Sequence, residues 1–158
     1  TFLLTMLFYT KNLNVLLVII DLVPTELNPE VFKIMNTKFY ICKHCGNVIT
    51  KQVDSGVPIV CCGEPMQELK VNTVDASVEK HVPEVTKIDD CTLKVPVGST
   101  PHPMLPEHHI SFIYLETENG GQLRYLKDKP EAEFCICKDK PTAVYEYCNL
   151  HGLWKTEL

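Results

Sequence analysis

From Val71 to the C-terminus the chain alternates apolar and polar positions with the two-residue period of strands, and no stretch sustains a helical repeat. Val85-Thr86-Lys87-Ile88 and Cys91-Thr92-Leu93-Lys94-Val95 flank Asp89-Asp90, which reads as a hairpin. Residues 109–116 form a mostly apolar strand that stops at Asn119-Gly120-Gly121, a strong turn signal. Further strands are expected over 122–126, 132–137 and 142–147, with Pro130 and Pro141 in the connections, where a missing N–H does no harm. Many short strands with regular turns and no convincing helix predict an all-β domain, a β-sandwich over residues 71–158.

Residues 36–70 read differently. Cys42-Lys43-His44-Cys45-Gly46 is followed, after Val57-Pro58-Ile59-Val60, by Cys61-Cys62-Gly63-Glu64-Pro65-Met66. So short a segment cannot bury enough apolar surface to fold alone, so a metal ion or a dimer partner is expected to make up the deficit. Cys-x-x-Cys followed by glycine makes a tight knuckle with both sulfurs on one side, and a hairpin spans the gap to the second pair. Four thiolates then suit tetrahedral zinc or iron, and spacing alone leaves the two equal. Neighbouring side chains on an extended chain point apart, so Cys61 and Cys62 must occupy a turn to reach one ion. His44, inside the knuckle, is expected to be a solvated loop residue.

Residues 1–35 stand apart as an apolar extension. Their two apolar runs are broken by Lys11 and Asn12, and neither approaches the ~20 residues of a spanning helix. A basic start and a small-residue cleavage site are lacking, so a signal peptide does not fit. Translation is expected to start at Met35; the rival reading is a peripheral membrane anchor.

Composition narrows the function. Of 158 residues, 45% are apolar and 22% charged, a globular balance. The formal net charge of -5 argues against a nucleic-acid partner, because phosphate neutralisation needs a basic face and the sequence shows none. Eight cysteines in this spacing suit metal binding in a reducing compartment better than disulfides.

The densest chemistry lies near the end, at Tyr147-Cys148-Asn149-Leu150-His151-Gly152. Thiolate and imidazole with two residues between them are a ligand pair for borderline transition metals. Further histidines stand at Glu79-Lys80-His81-Val82-Pro83, at Pro101-His102-Pro103-Met104, and at His108-His109. The prolines on both sides of His102 hold its backbone extended, as a preset loop ligand requires. Tyr147 and Trp154 are expected to pack around this site.

Taken in order, Cys-x-x-Cys-Gly-Asn, Cys-Cys-Gly-Glu-Pro-Met, Glu-Lys-His-Val-Pro, Pro-His-Pro-Met and Tyr-Cys-Asn-Leu-His-Gly closely resemble the desulfoferrodoxins, two-domain superoxide reductases, over residues 36–158. The resemblance implies a desulforedoxin-like domain over 36–70 with a rubredoxin-like iron on Cys42, Cys45, Cys61 and Cys62. It implies an immunoglobulin-like sandwich over 71–158 holding the catalytic iron through His81, His102, His108 and His151 in a plane, with Cys148 axial. The family's third histidine follows the Pro-His-Pro histidine by six positions, which selects His108 over His109. Lys80 and Glu79 become the expected catalytic residues, the lysine to attract an anion and the carboxylate to approach the open position. Without the resemblance, Glu79-Lys80 reads as an ordinary solvated loop.

The implied reaction adds one electron and two protons to superoxide and releases hydrogen peroxide, with a rubredoxin-like carrier as electron donor, a homodimer as the assembly and a cytoplasmic location. An alternative is a rubredoxin-like electron-transfer protein whose sandwich only supports the four-cysteine iron; Cys148 and four suitable histidines count against it. A zinc-ribbon binding module is disfavoured by the acidic charge. Cys91, Cys135 and Cys137 fall outside every motif and are expected to be buried small hydrophobes; the minority reading for Cys135 and Cys137, which share a strand face, is a redox pair or third metal site.

Overall fold

A computed structural model describes residues 36–158 apart from Asp75 and Ser77, so the expectations for residues 1–35 lie outside the described residues. The described residues fall within one compact unit, Ile34–Leu158.

The unit begins with a three-stranded sheet in which β1 (Phe39–Ile41) is central, flanked by β2 (Val48–Thr50) and β5 (Gln67–Glu68). A two-stranded ribbon of β3 (Val60–Cys61) and β4 (Glu64–Pro65) carries the second cysteine pair. The turn predicted at Cys61-Cys62 is present: Cys62 has φ 53° and Gly63 has φ 84°, so the chain reverses there in the left-handed region that glycine tolerates.

Beyond it lies the sandwich. One sheet has the order β10-β7-β6, with β6 (Thr86–Lys87), β7 (Thr92–Pro96) and β10 (Glu131–Cys135). The other has the order β12-β11-β8-β9, with β8 (Ile110–Thr117), β9 (Gly120–Tyr125), β11 (Pro141–Cys148) and β12 (Gly152–Glu157). All pairings are antiparallel, and the hairpin expected around Asp89-Asp90 joins β6 to β7 with Thr86 opposite Lys94. Two sheets of three and four strands form the immunoglobulin-like sandwich.

Three details differ from the pattern reading. Residues 78–81 form one helical turn, α1 (Val78–His81), where only loop was expected. Pro141 opens β11 rather than sitting in a connection; the first residue of a strand is a position where proline costs no ladder bond. The final strand β12 lies beyond the expected strands; its alternation from Leu153 to Glu157 is short and directly follows the metal-ligand motif.

Packing explains why β11 reads as a nearly continuous apolar run: it is covered on both faces. Val144 and Cys148 face the sandwich interior with Leu93, Val95, Ile110, Ile113, Leu115 and Phe134. Ala143, Tyr145 and Tyr147 face the opposite way and meet Phe39, Phe112 and Leu153. Phe39, from the knuckle unit, therefore inserts into the outer face of the sandwich, its ring 5.7 Å from Phe112 and 5.3 Å from Tyr145. The Tyr145 hydroxyl, at the bottom of that contact, donates to the Glu116 carboxylate at 2.8 Å.

Candidate metal centres

Two groups of side chains converge on points where an ion fits: Cys42, Cys45, Cys61 and Cys62 in the knuckle, and His81, His102, His108, Cys148 and His151 at one end of the sandwich. In each group the ligand atoms all lie within 4.8 Å of one another.

The knuckle is built by its backbone. The Gly46 amide donates to the Cys42 carbonyl, the Cys42 amide donates to Asn47, and Gly46 takes φ 77°. These bonds curl the loop so that Cys42 and Cys45 face the second pair. The Sγ atoms of Cys45 and Cys61 lie 3.6 Å apart, and those of Cys61 and Cys62 3.9 Å. Sulfurs ~2.3 Å from one ion in a tetrahedron lie about 3.8 Å apart, so these separations fit. Backbone amides at the Cys42 sulfur, chiefly that of Cys45, lower its pKa to about 6, so one thiolate is favoured before any metal arrives. His44 is exposed on the loop and outside the group, as expected.

At the second site four elements each deliver one part. His81 ends α1 and stacks on Trp154 of β12, with ring centroids 5.0 Å apart. The helical turn is held from below: the Thr100 amide donates to the Glu79 carbonyl and the Gly98 amide to Val82. Gly98 is irreplaceable by geometry, since at φ +75° an added Cβ would lie 2.5 Å from the Glu79 carbonyl oxygen. His102 donates through Nδ1 to the Pro103 carbonyl at 2.7 Å, which fixes its tautomer and leaves the Nε2 lone pair for the centre.

His108 closes a tight turn in which residues 105 and 108 exchange both backbone hydrogen bonds. Asn149, between the ligands Cys148 and His151, clamps that turn: its amide group donates to the Glu107 carbonyl and its oxygen accepts from the His109 amide, both at 2.9 Å. His109 points elsewhere, with Nδ1 donating to the Leu105 carbonyl at 3.0 Å, so the structure brings in His108 and leaves His109 out.

The four rings form a closed circuit. His81 meets His102 at 4.8 Å, His102 meets His108 at 4.5 Å, His108 meets His151 at 4.9 Å and His151 meets His81 at 4.6 Å, each pair edge to face. Cys148, fully buried, places Sγ 3.6 Å from His102 Nε2 and 3.5 Å from His151 Nδ1. Nitrogens ~2.1 Å from one ion and at right angles lie about 3 Å apart; His81 Nε2 and His151 Nδ1 lie 2.9 Å apart. His108 Nε2 is buried with no hydrogen-bond partner, as a lone pair reserved for an ion would be. Burial lowers His102 to about 4 and also lowers His108, so both imidazoles are held neutral, the form that binds metal. Burial pushes the Cys148 thiol up, so an ion must compensate the thiolate it needs. The donor set and its spacing fit the two iron centres.

Three contributors were missed in the sequence. Asn149 sat inside a motif read only for its cysteine and histidine, and Gly98 looked like an ordinary turn glycine. Glu146 is fully buried two residues from Cys148, with both carboxylate oxygens unpartnered; burial raises its pKa well above the usual carboxylate range, so it is neutral there. A glutamate amid Tyr145 and Tyr147 was the available signal. Conversely, Cys135 and Cys137 are exposed and Cys91 half-buried, which overturns their reading as core residues.

Residues 73–157 match the desulfoferrodoxin family model. The desulfoferrodoxin of Nitratidesulfovibrio vulgaris is 48% identical over 122 residues, spanning 76% of this chain and 95% of that protein. The desulfoferrodoxin of Syntrophotalea carbinolica is 45% identical over 120 residues, spanning 75% and 94%. The crystal structure of the superoxide reductase from Treponema pallidum superposes with a TM-score of 0.64 at 35% identity, covering 77% of this chain and 98% of that one. With both cysteine and histidine clusters assembled and the similarity running through them, this chain belongs to the desulfoferrodoxin family.

Proposed function

We infer that the protein is a superoxide reductase, converting superoxide to hydrogen peroxide with one electron and two protons. The observation that carries this reading is the circuit of four imidazoles with a buried cysteine sulfur against it, a donor set that a pure electron carrier does not need. Ferrous iron, when bound there, supplies the electron. His81, His102, His108 and His151 would hold the ion, and the Cys148 thiolate would tune its electronic character.

Lys80 and Glu79 are assigned to the substrate. Lys80 is half-buried next to His81, and its positive charge is among the influences that lower His108, after burial and His151. An ammonium at that range attracts a small anion to the histidine face and steadies negative charge on it. Glu79, exposed on the same helical turn, is assigned as the carboxylate that would approach the histidine face.

The reading divides the chain into a knuckle over 36–70 that accepts electrons from a rubredoxin-like carrier and a sandwich over 71–158 that spends them. A homodimer through the knuckle is supported by the exposed apolar side chains Val53, Val57 and Val60 there. A cytoplasmic location is supported by eight unpaired cysteines. Among the described residues no helix is long and apolar enough to cross a membrane.

The test is optical and kinetic. The purified ferric protein should show a four-thiolate iron absorption and a separate thiolate–histidine band, and the ferrous protein should consume superoxide in pulse radiolysis without evolving oxygen. A four-thiolate band alone, with no superoxide consumption, would return the protein to the electron-carrier class.

A further inference from the structure

Cys135 and Cys137 are exposed at the end of β10, and their Sγ atoms lie 3.2 Å apart. Two residues on one strand face are normally ~6.6 Å apart along the strand, so the closeness needs a local cause. The strand ends at Cys135, and the chain then turns, with the Ile136 amide donating to the Cys91 carbonyl at 2.7 Å and the Asp139 amide to Ile136 at 3.2 Å. That turn leans the Cys137 side chain back over Cys135. Cys137 Sγ also reaches the Cys91 carbonyl at 4.0 Å. A disulfide needs its sulfurs at about 2.05 Å, so roughly an ångström of side-chain rotation closes the bond.

A metal is the other use for clustered thiols. Cys91, Cys135 and Cys137 are not among the groups of described residues whose ligand atoms all come within 4.8 Å. The third sulfur does not close a site, and the arrangement is that of a pair.

We propose that Cys135 and Cys137 form a surface dithiol that hydrogen peroxide oxidises to an intramolecular disulfide. The Cys135 sulfur attacks one peroxide oxygen, the O–O bond breaks, and one water leaves with Cys135 as a sulfenic acid. The Cys137 sulfur then attacks Cys135, the S–O bond breaks, and a second water leaves as the S–S bond forms. Two thiols lose two electrons and two protons, and one peroxide becomes two waters. The roles follow the surroundings: the Cys137 amide at the Cys135 sulfur lowers the pKa of Cys135, whereas hydrogen bonding with Cys91 and Cys135 raises that of Cys137. The proposal rests on superoxide reduction only for the source of its oxidant. The dithiol lies at the Thr92 end of β7, opposite the Pro96 end that leads to the histidine site, so it samples released peroxide rather than substrate.

The test uses the iron-loaded protein and its tryptic peptides. Cleavage after Lys127 and Lys138 leaves both cysteines on one peptide, because Lys129 precedes Pro130, whereas Cys91 lies on another peptide between Lys87 and Lys94. After added hydrogen peroxide, the first peptide should lose two hydrogens and both iodoacetamide-reactive thiols, and a thiol reductant should restore them. In Cys137→Ser, Cys135 should instead be trapped by dimedone as a sulfenic acid. Two thiols still alkylated, a cross-link to the Cys91 peptide, or no dimedone adduct would each overturn the proposal. A parallel sample given superoxide and an electron donor, with no added peroxide, separates the two readings. A disulfide formed there without oxygen evolution supports both; a disulfide with added peroxide, but superoxide lost only by dismutation with oxygen evolved, keeps the dithiol and counts against superoxide reduction.

Discussion

At the scale of single residues, the second centre depends on which of two adjacent histidines turns inward. His108 leaves its Nε2 buried and unpartnered, while His109 spends Nδ1 on the Leu105 carbonyl. His108→Ala should therefore weaken iron binding at this centre by more than ~10-fold, while His109→Ala keeps it; metal analysis of both variants checks this, and the reverse order would reject the assignment. Lys80→Ala should slow superoxide reduction by roughly 10-fold and flatten its dependence on ionic strength, since a steering charge is lost; unchanged pulse-radiolysis rates would remove Lys80 from the reaction. Acid should act through His102. Its folded value is lowered to about 4 from 6.5, so between those values the unfolded chain binds the proton and the folded one does not. The metal-free protein should accordingly lose thermal stability as pH falls from 6.5 toward 4, and His102→Gln should flatten that slope in a melting series.

At the scale of elements, the site hangs on short, unusual pieces attached to regular strands. The turn α1 is only four residues long, too short to stand by itself, and it is held by the backbone of residues 98–100. Gly98 carries that support with a left-handed φ and no room for a methyl group. Gly98→Ala should cost ~1–3 kcal/mol of stability and lift His81 from the circuit. The expected readout is a lower melting temperature together with loss of the thiolate–histidine band, with the four-thiolate band intact. A variant that keeps both bands would show that α1 does not need this contact. Asn149 does for the 105–108 turn what Gly98 does for α1, by hydrogen bonds instead of by vacancy.

At the scale of the whole molecule, the knuckle and the sandwich share a core. Phe39 is 3% exposed and sits among Phe112, Tyr114 and Tyr145 on the outer face of the four-stranded sheet. Phe39→Ala should cost about 3–5 kcal/mol and release the knuckle, so that limited proteolysis cuts near residue 70 while the sandwich survives. An unchanged digestion pattern would show that other contacts suffice.

Most of the strands and the family were legible in residue order, because alternation and short ligand motifs are local features that need no partner to be read, and the family resemblance in turn implied the two ligand sets. The choice of His108 over His109 came from the family resemblance, whose ligand follows the Pro-His-Pro histidine by six positions. The tertiary structure alone decided what covers what. Glu146 looked like one polar position in a strand, and only the closing of the second sheet and of β12 made it a buried, neutral carboxyl. Cys135 and Cys137 looked like core residues, and only the end of β10 and the turn after it left them exposed and facing each other. Burial and sulfur-to-sulfur distance depend on segments far apart in the chain or on how a turn closes, and residue order does not encode either until the sheets have packed.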